Sequence, residues 1–309
     1  MPVRTILLVL SRSRFLREAL TRRRLFPTAV SRFIAGPEIA DALAAVQRLA
    51  ARGLQATLNH LGEHVESGPA AAAEVEAQRK ALERLRSAGV VSHLSVKLTQ
   101  LGLDLDADLC AGHLRQILEE AAALPTFVRV NMEGSAYTDR TLALYQRLRP
   151  TFPDVGVVLQ ACLYRTPADL EALLPLGVNV RLCKGAYREP ATVAYPRKRD
   201  VDASFLHLAE RLFSPDSLDR GTFAAFATHD PRMVAGVRRL AAERGVPRDR
   251  FEFQMLYGIG RDLQAALVAA GYGVRIYIPY GDAWFPYFMR RLAERPANLL
   301  FLVRSLLRG

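Results

Sequence analysis

Beyond residue 53 the chain alternates two hydrophobic rhythms. Short runs rich in Val, Leu, Ile and Phe occur at 55–58, 94–98, 127–132, 155–159, 178–183, 223–227, 251–255 and 274–278. Between and after them, apolar residues return every three or four positions, at 70–88, 106–123, 139–149, 167–173, 202–213, 231–244, 262–270 and 283–295. The first rhythm is that of buried strands, the second that of helices with one face on a core. Eight strand–helix units over about 250 residues predict an α/β protein of the closed (β/α)8 TIM-barrel type. A doubly wound sheet is the rival, but no Gly-x-Gly-x-x-Gly follows an early strand. Ahead of the barrel, 12–24 and 37–52 read as helices, the second because Ile39, Leu43, Val46 and Leu49 share one face. Residues 1–52 are therefore expected to form an N-terminal helical arm and 53–309 the catalytic barrel.

Composition narrows the class. A chain of 309 residues with 50% hydrophobic content has ample material for one large core. Its three cysteines, Cys110, Cys162 and Cys183, form no C-x-x-C pair and no zinc-like spacing, which suits a reducing, cytoplasmic compartment. The longest early apolar run, 6–10, is far short of the roughly 20 residues that cross a bilayer. Both ends mix leucine with arginine and could touch an anionic membrane surface peripherally, although a docked helix is the plainer reading. The net charge of +11 comes with only four lysines, and its arginines are scattered rather than gathered in a nucleic-acid motif. A bias towards Ala, Leu and Arg explains it better than nucleic-acid binding. No metal motif, Walker sequence or serine nucleophile elbow is present, so the chemistry is expected to need an organic cofactor and no metal.

In a barrel of this kind the chemistry gathers at the C-terminal strand ends. The polar residues interrupting the apolar runs there are Lys97, Asn131 with Glu133, Gln160, Arg181 with Lys184, Thr228 with His229, Gln254 and Tyr277. Singly, each has a structural explanation: His229 could cap the next helix, Gln160 and Gln254 could bond loop backbone, and Lys97 could pair with a carboxylate. Polar groups at seven strand ends together need partners, and a bound ligand supplies them economically. The last helix adds a second stripe. Phe285, Phe288, Met289 and Leu292 make one apolar face, whereas Tyr287, Arg290, Arg291 and Glu294 make a polar one. Adjacent arginines steadied by a glutamate suit a small carboxylate.

These residues carry a family resemblance. LSVKLTQLG at 94–102, NMEGSAYTD at 131–139, VVLQACLYRT at 157–166, VRLCKGAYRE at 180–189, FATHD at 226–230, FEFQMLYGIG at 251–260, VRIYIPYG at 274–281 and YFMRRLAERPAN at 287–298 occur in the order found in proline dehydrogenases. The chain closely resembles that flavin-dependent family, in its monofunctional bacterial form. The resemblance implies non-covalent FAD and oxidation of L-proline to Δ1-pyrroline-5-carboxylate, by hydride transfer from proline C5 to flavin N5, with electrons passed on to a quinone. It places Gln160 near the flavin ring, Arg181 on the cofactor, and Lys184, Gly185 and Ala186 at the mouth of strand five. Thr228 and His229 fall along the phosphate and ribityl side, with Gln254 and Leu256 nearby. It assigns the substrate carboxylate to Arg290 and Arg291 with help from Lys97, and the ring wall to Tyr277, Tyr287 and Leu256, with Glu294 and Tyr187 orienting these groups. The family normally carries aspartate where this chain has Asn131. The missing charge is expected to leave Lys97 and the arginines less compensated, so that Asn131→Asp would speed flavin reduction. Other readings are a different flavin barrel, such as a folate-type reductase, or a non-enzymatic basic barrel.

Overall fold

The computed structural model describes residues 30–294, with side chains described through 289. Eight parallel strands close into a barrel in sequence order, β1 lying beside β8. They are β1 Gln55–His60, β2 His93–Val96, β3 Val128–Val130, β4 Val155–Gln160, β5 Asn179–Cys183, β6 Phe223–Ala227, β7 Phe251–Leu256 and β8 Gly273–Tyr280. The helices are α1 Ile39–Ala50, α2 Gly68–Ser87, α3 Ala107–Ala121, α4 Thr138–Leu148, α5 Thr166–Leu173, α6 Lys198–Leu212, α7 Pro215–Asp219, α8 Pro231–Glu243, α9 Arg261–Ala269 and α10 Trp284–Glu294. The helix expected at 12–24 lies outside the described residues. β2 and β3 are shorter than the sequence pattern suggested, so Lys97 and Asn131 sit just past their strands. The short α7 breaks into the link between α6 and β6.

Local chemistry sets the helix starts. Ser67 accepts from the Ala70 N–H at 3.3 Å ahead of α2, Asp106 from the Leu109 N–H at 2.7 Å ahead of α3, and Asp230 from the Arg232 N–H at 3.1 Å ahead of α8. Each satisfies an amide the first helical turn leaves open.

Strand alternation then sorts the barrel wall. Leu58, Leu94, Val96, Val130, Leu159, Leu182, Phe226, Phe253 and Ile276 face the helices and form one continuous core with Val46, Leu82, Leu114, Leu148 and Phe205. The alternate positions point inward, and they are polar at two levels. Such interiors are usually filled by branched apolar side chains. Here Arg129, Glu252 and Arg275 make a charged floor, with Asn131, Arg181, Gln254 and Tyr277 two positions further along their strands, towards the C-terminal mouth.

A second, smaller cluster joins Val30, Phe33 and Ile34 to Trp284, Phe285, Tyr287, Phe288 and Met289. The Ala35 N–H donates to the Pro279 carbonyl at 2.9 Å and the Gly281 N–H to the Gly36 carbonyl at 3.0 Å, so the chain ahead of α1 is tied to the end of β8, just before α10.

Candidate active site

A cavity of about 690 Å³ opens at the C-terminal strand ends. Lys97, Asn131, Arg181, Lys184, Gly185, Ala186, Tyr187, Thr228, His229, Gln254, Leu256, Tyr277 and Tyr287 all line it. Residues nominated from seven different strand or helix ends thus converge on one space. Two do not line it. Gln160 stands just behind the wall, donating to the Glu133 carbonyl at 3.0 Å and accepting from the Ala186 N–H at 3.3 Å. Glu133 is turned to Thr99, accepting from its amide at 3.1 Å and its hydroxyl at 2.7 Å, and serves the loop after β2. The side chains of Arg290, Arg291 and Glu294 lie outside the described residues, while the backbone of α10 places their positions directly after Tyr287, Phe288 and Met289.

Arg181 is the buried cation of the mouth. Its Nε donates to Gln254 Oε1, and its Nη1 donates to Asn131 Oδ1 at 3.1 Å and Ser95 Oγ at 3.4 Å. The guanidinium carbon lies 5.4 Å from the Tyr277 ring centroid, within cation–π range. Every acceptor is neutral, and burial presses the pKa of Arg181 below the ordinary guanidinium value. An arginine so held stays charged and offers that charge to whatever fills the cavity.

Lys97 is placed differently. Its Nζ donates to Glu63 Oε1 at 2.7 Å and to the Gly62 carbonyl at 3.0 Å, both from the loop after β1. This corrects the expectation built on Asn131. The acid compensating Lys97 is Glu63, whereas Asn131 spends its oxygen on Ser95 and Arg181 and aims its amide at Tyr277 OH, 3.4 Å away, and Asn59 Oδ1, 3.5 Å away.

The opposite rim is an ion network. Lys184 Nζ pairs with Asp202 and, at 3.0 Å, with Asp230, while Lys198 bridges the same two carboxylates. Burial alone would raise the pKa of Asp230, but the hydrogen bonds from Lys184, the Arg232 amide and Lys198 hold it well below the carboxylate range. His229 does not cap α8; its Nε2 accepts from the Leu256 N–H at 2.8 Å and ties β6 to β7, while Asp230 is the cap. Gly185 has φ +131°, and a Cβ there would collide with Cys162 Sγ, so only glycine lets this backbone pack against Cys162. Burial raises the Cys183 thiol to about 12 and Cys162 to about 11, leaving both protonated and unreactive at neutral pH.

Sequence reasoning missed Asn59, Glu63, Asp202 and Asp230. Asn59 carried a signal, because Thr57 and Asn59 alternate with Ala56 and Leu58, but the expected strand ended two residues early, at 58. Glu63 sits in a loop with no periodic pattern, and nothing in its neighbours distinguishes it.

Comparison with known proteins shows the family. The family model for proline dehydrogenase matches residues 42–304. The chain is 42% identical over 277 residues to proline dehydrogenase 1 of Bacillus subtilis, covering 90% of each. It is 40% identical over 297 residues to proline dehydrogenase of Deinococcus radiodurans, covering 94% of each. Among solved structures, proline utilization A (PutA) from Bdellovibrio bacteriovorus superposes with a TM-score of 0.82 at 24% identity, over 90% of this chain and 34% of that one, and shares the barrel fold.

Proposed function

The chain belongs to the proline dehydrogenase family, and from that premise we propose that the cavity at the strand ends is where FAD and L-proline meet. The protein is an FAD-dependent oxidoreductase that oxidises L-proline. The observation that carries the site is the buried Arg181 guanidinium, held only by neutral acceptors and open to a cavity that Lys97, Lys184, Tyr277 and Tyr287 also line.

The residues present fit FAD. The cavity falls within the range of about 300–1,000 Å³ typical of small-molecule sites. Arg181, Lys184 and Lys198 line it and supply positive charge for a pyrophosphate-bearing ligand. We assign Gln160, Arg181, Lys184, Gly185, Ala186, Thr228, His229 and Gln254 to holding the cofactor, Gln160 acting from behind the wall through the Ala186 amide. Bound FAD supplies the acceptor for the hydride that leaves C5 of proline, giving Δ1-pyrroline-5-carboxylate.

The chain's own residues do the rest. Arg290 and Arg291, with Lys97, bind the proline carboxylate, and Glu294 and Tyr187 orient them. Tyr277, Tyr287 and Leu256 wall the pyrrolidine ring so that C5 is aimed rather than merely bound. The cations around the site favour loss of the ring-nitrogen proton, so oxidation proceeds without a dedicated general base. Val30, Phe33 and Ile34 pack against α10 and so hold Tyr287 at the mouth.

Electrons then pass to a quinone, and contact with an anionic membrane surface is peripheral. The basic, leucine-bearing ends of the sequence support that contact. Among the described residues no helix is long and apolar enough to cross a membrane. The test is the visible spectrum of the purified protein, before and after anaerobic addition of L-proline. Flavin absorption that bleaches with proline is expected; a colourless protein unable to take up FAD ends the reading.

A further inference from the structure

A groove of about 670 Å³, close in size to the mouth cavity, lies outside the barrel between the start of α5 and the outer face of α6. Tyr164, Tyr195, Pro167 and Pro196 line it together with Ser204 and His207 of α6, and the ion-paired Arg197 and Asp200, 2.6 Å apart, stand at the same groove. The two tyrosine rings meet edge to face, with centroids 4.7 Å apart. They are fixed by backbone. Leu163 and Ala194 form an antiparallel bridge, the Tyr164 N–H donates to the Val193 carbonyl at 3.0 Å, and the Tyr195 N–H to the Cys162 carbonyl at 2.8 Å. Tyr164 OH is anchored too, on the Ala191 carbonyl at 3.1 Å. Yet the Tyr164 side chain is left 44% exposed, so a rigid aromatic surface faces an open groove.

What stands behind that surface gives it meaning. The Cys162 N–H donates to the Lys184 carbonyl at 2.8 Å, and the Gly185 backbone packs directly on Cys162 Sγ. Lys184, Gly185 and Ala186 line the mouth cavity. Cys162 thus stands between the backbone of Tyr195 at the groove and that of Lys184 and Gly185 at the cavity.

We infer that this groove takes the head group of a quinone, and the inference rests on the quinone reading above. A quinone is a neutral, planar ring with two carbonyls. Tyrosine and proline faces suit the ring, and the Ser204 hydroxyl and His207 imidazole supply donors for carbonyl oxygens. The reduced cofactor gives up two electrons and two protons, the quinone takes up both pairs and becomes a quinol, and oxidised FAD is restored. Proline and quinone then occupy separate compartments on opposite sides of Cys162, so neither excludes the other.

Two variants test the groove without touching the mouth: Ala203→Trp fills it from α6, and Tyr164→Ala removes part of its aromatic wall. With a short-chain benzoquinone as acceptor, Tyr164→Ala raises the quinone KM about five- to tenfold, the loss expected of one aromatic contact, and Ala203→Trp raises it at least as much by occupying the groove. Anaerobic bleaching by proline and turnover with ferricyanide stay at wild-type rates. Wild-type quinone KM in both variants, or competition between quinone and proline, overturns the groove. If the wild-type enzyme turns over with ferricyanide but not with benzoquinone, the acceptor reading itself fails and the groove falls with it.

Discussion

Two levels of the barrel interior use arginine in opposite ways. At the floor, Arg275 meets Glu252 at 2.8 and 3.1 Å and gives its other N–H groups to the Ala56 carbonyl, at 3.1 Å, and Gln55, at 2.6 Å. Arg129 is likewise spent on the carbonyls of Val157, at 3.2 Å, and Asn179, at 2.6 Å. At the mouth, Arg181 has amide and hydroxyl acceptors, and among the described residues no carboxylate forms an ion pair with it. The mouth lysines do have acids, but these come from the β1 loop, from α6 and from the cap of α8, more exposed and easier to exchange for a ligand. A guanidinium closed by a buried carboxylate, as in Arg275, or by strand carbonyls, as in Arg129, is structural; one that faces the cavity on side-chain amide and hydroxyl oxygens keeps its charge for a ligand. Residue type alone does not separate these roles, whereas the partners do: a carboxylate and main-chain carbonyls at the floor, side-chain amides and a hydroxyl at the mouth.

The sharpest way to break this contrast is to open the floor. Glu252→Ala leaves Arg275 buried without its acid, and removing one partner of such a pair costs about 3–5 kcal/mol. Urea unfolding should show a loss of that size, and an unchanged midpoint would mean the floor is not a closed unit. The matching change at the mouth is Arg181→Met. It should leave the unfolding midpoint near wild type and weaken FAD retention by about 2–5 kcal/mol, read by equilibrium dialysis, as when a charge contact with a ligand is truncated. Arg290→Met and Arg291→Met should show a third pattern: proline oxidation weakened by about 2–5 kcal/mol with FAD content intact. Unchanged kinetics in both would make that pair surface decoration.

Much of this was legible in the sequence and some was not, for identifiable reasons. The barrel follows from alternating periods, and the mouth from polar residues at strand ends, because both depend on local spacing. The floor was not legible: Arg129, Glu252 and Arg275 sit at strand starts or midpoints, and a sequence does not reveal that three strands bring them together. Glu63 was missed for the same reason, since its pairing with Lys97 spans β1 and β2. The groove at Tyr164 and Tyr195 depends on a single bridge between two loops, Leu163 to Ala194, which leaves no periodic trace.

The floor also predicts a pH dependence. His93, at the start of β2, is pressed down to about 2 by burial and then by Arg275, Arg129 and Arg181. The folded protein keeps it neutral, while the unfolded chain protonates it near the ordinary value of 6.5. Stability from this group is therefore full above that value and falls as pH drops below it, by about 1.4 kcal/mol per unit. His93→Gln should flatten the acid side of the stability profile relative to wild type. Parallel profiles from urea unfolding between neutral and mildly acidic pH would show that His93 is not held neutral by the arginines.

The smallest effect is the most discriminating, because it converts the mouth arginine into one like Arg275 of the floor. In Asn131→Asp, a carboxylate replaces the amide oxygen that Arg181 and Ser95 now share, at 3.1 and 2.7 Å. A hydrogen bond to a charged group contributes about 1.5–3 kcal/mol against 0.5–1.5 for a neutral one, so folding should gain about 1 kcal/mol. The hydrogen bonds that the substitution removes are weak, with the Asn131 amide 3.4 Å from Tyr277 OH and 3.5 Å from Asn59 Oδ1. Tyr277 can instead donate its own proton to the new carboxylate, and Asn59 can turn its amide to do the same. Lys97 is untouched, since its acid is Glu63. The aspartate should therefore stabilise the fold and slow flavin reduction by proline, having taken up the charge Arg181 otherwise offers to the cavity. Affinity for a non-reacting carboxylate analogue, which depends on Lys97, should stay as it was. Unfolding and rapid-mixing measurements on the two proteins decide the matter. Faster reduction with no gain in stability would return the effect to Lys97 and remove the distinction between floor and mouth.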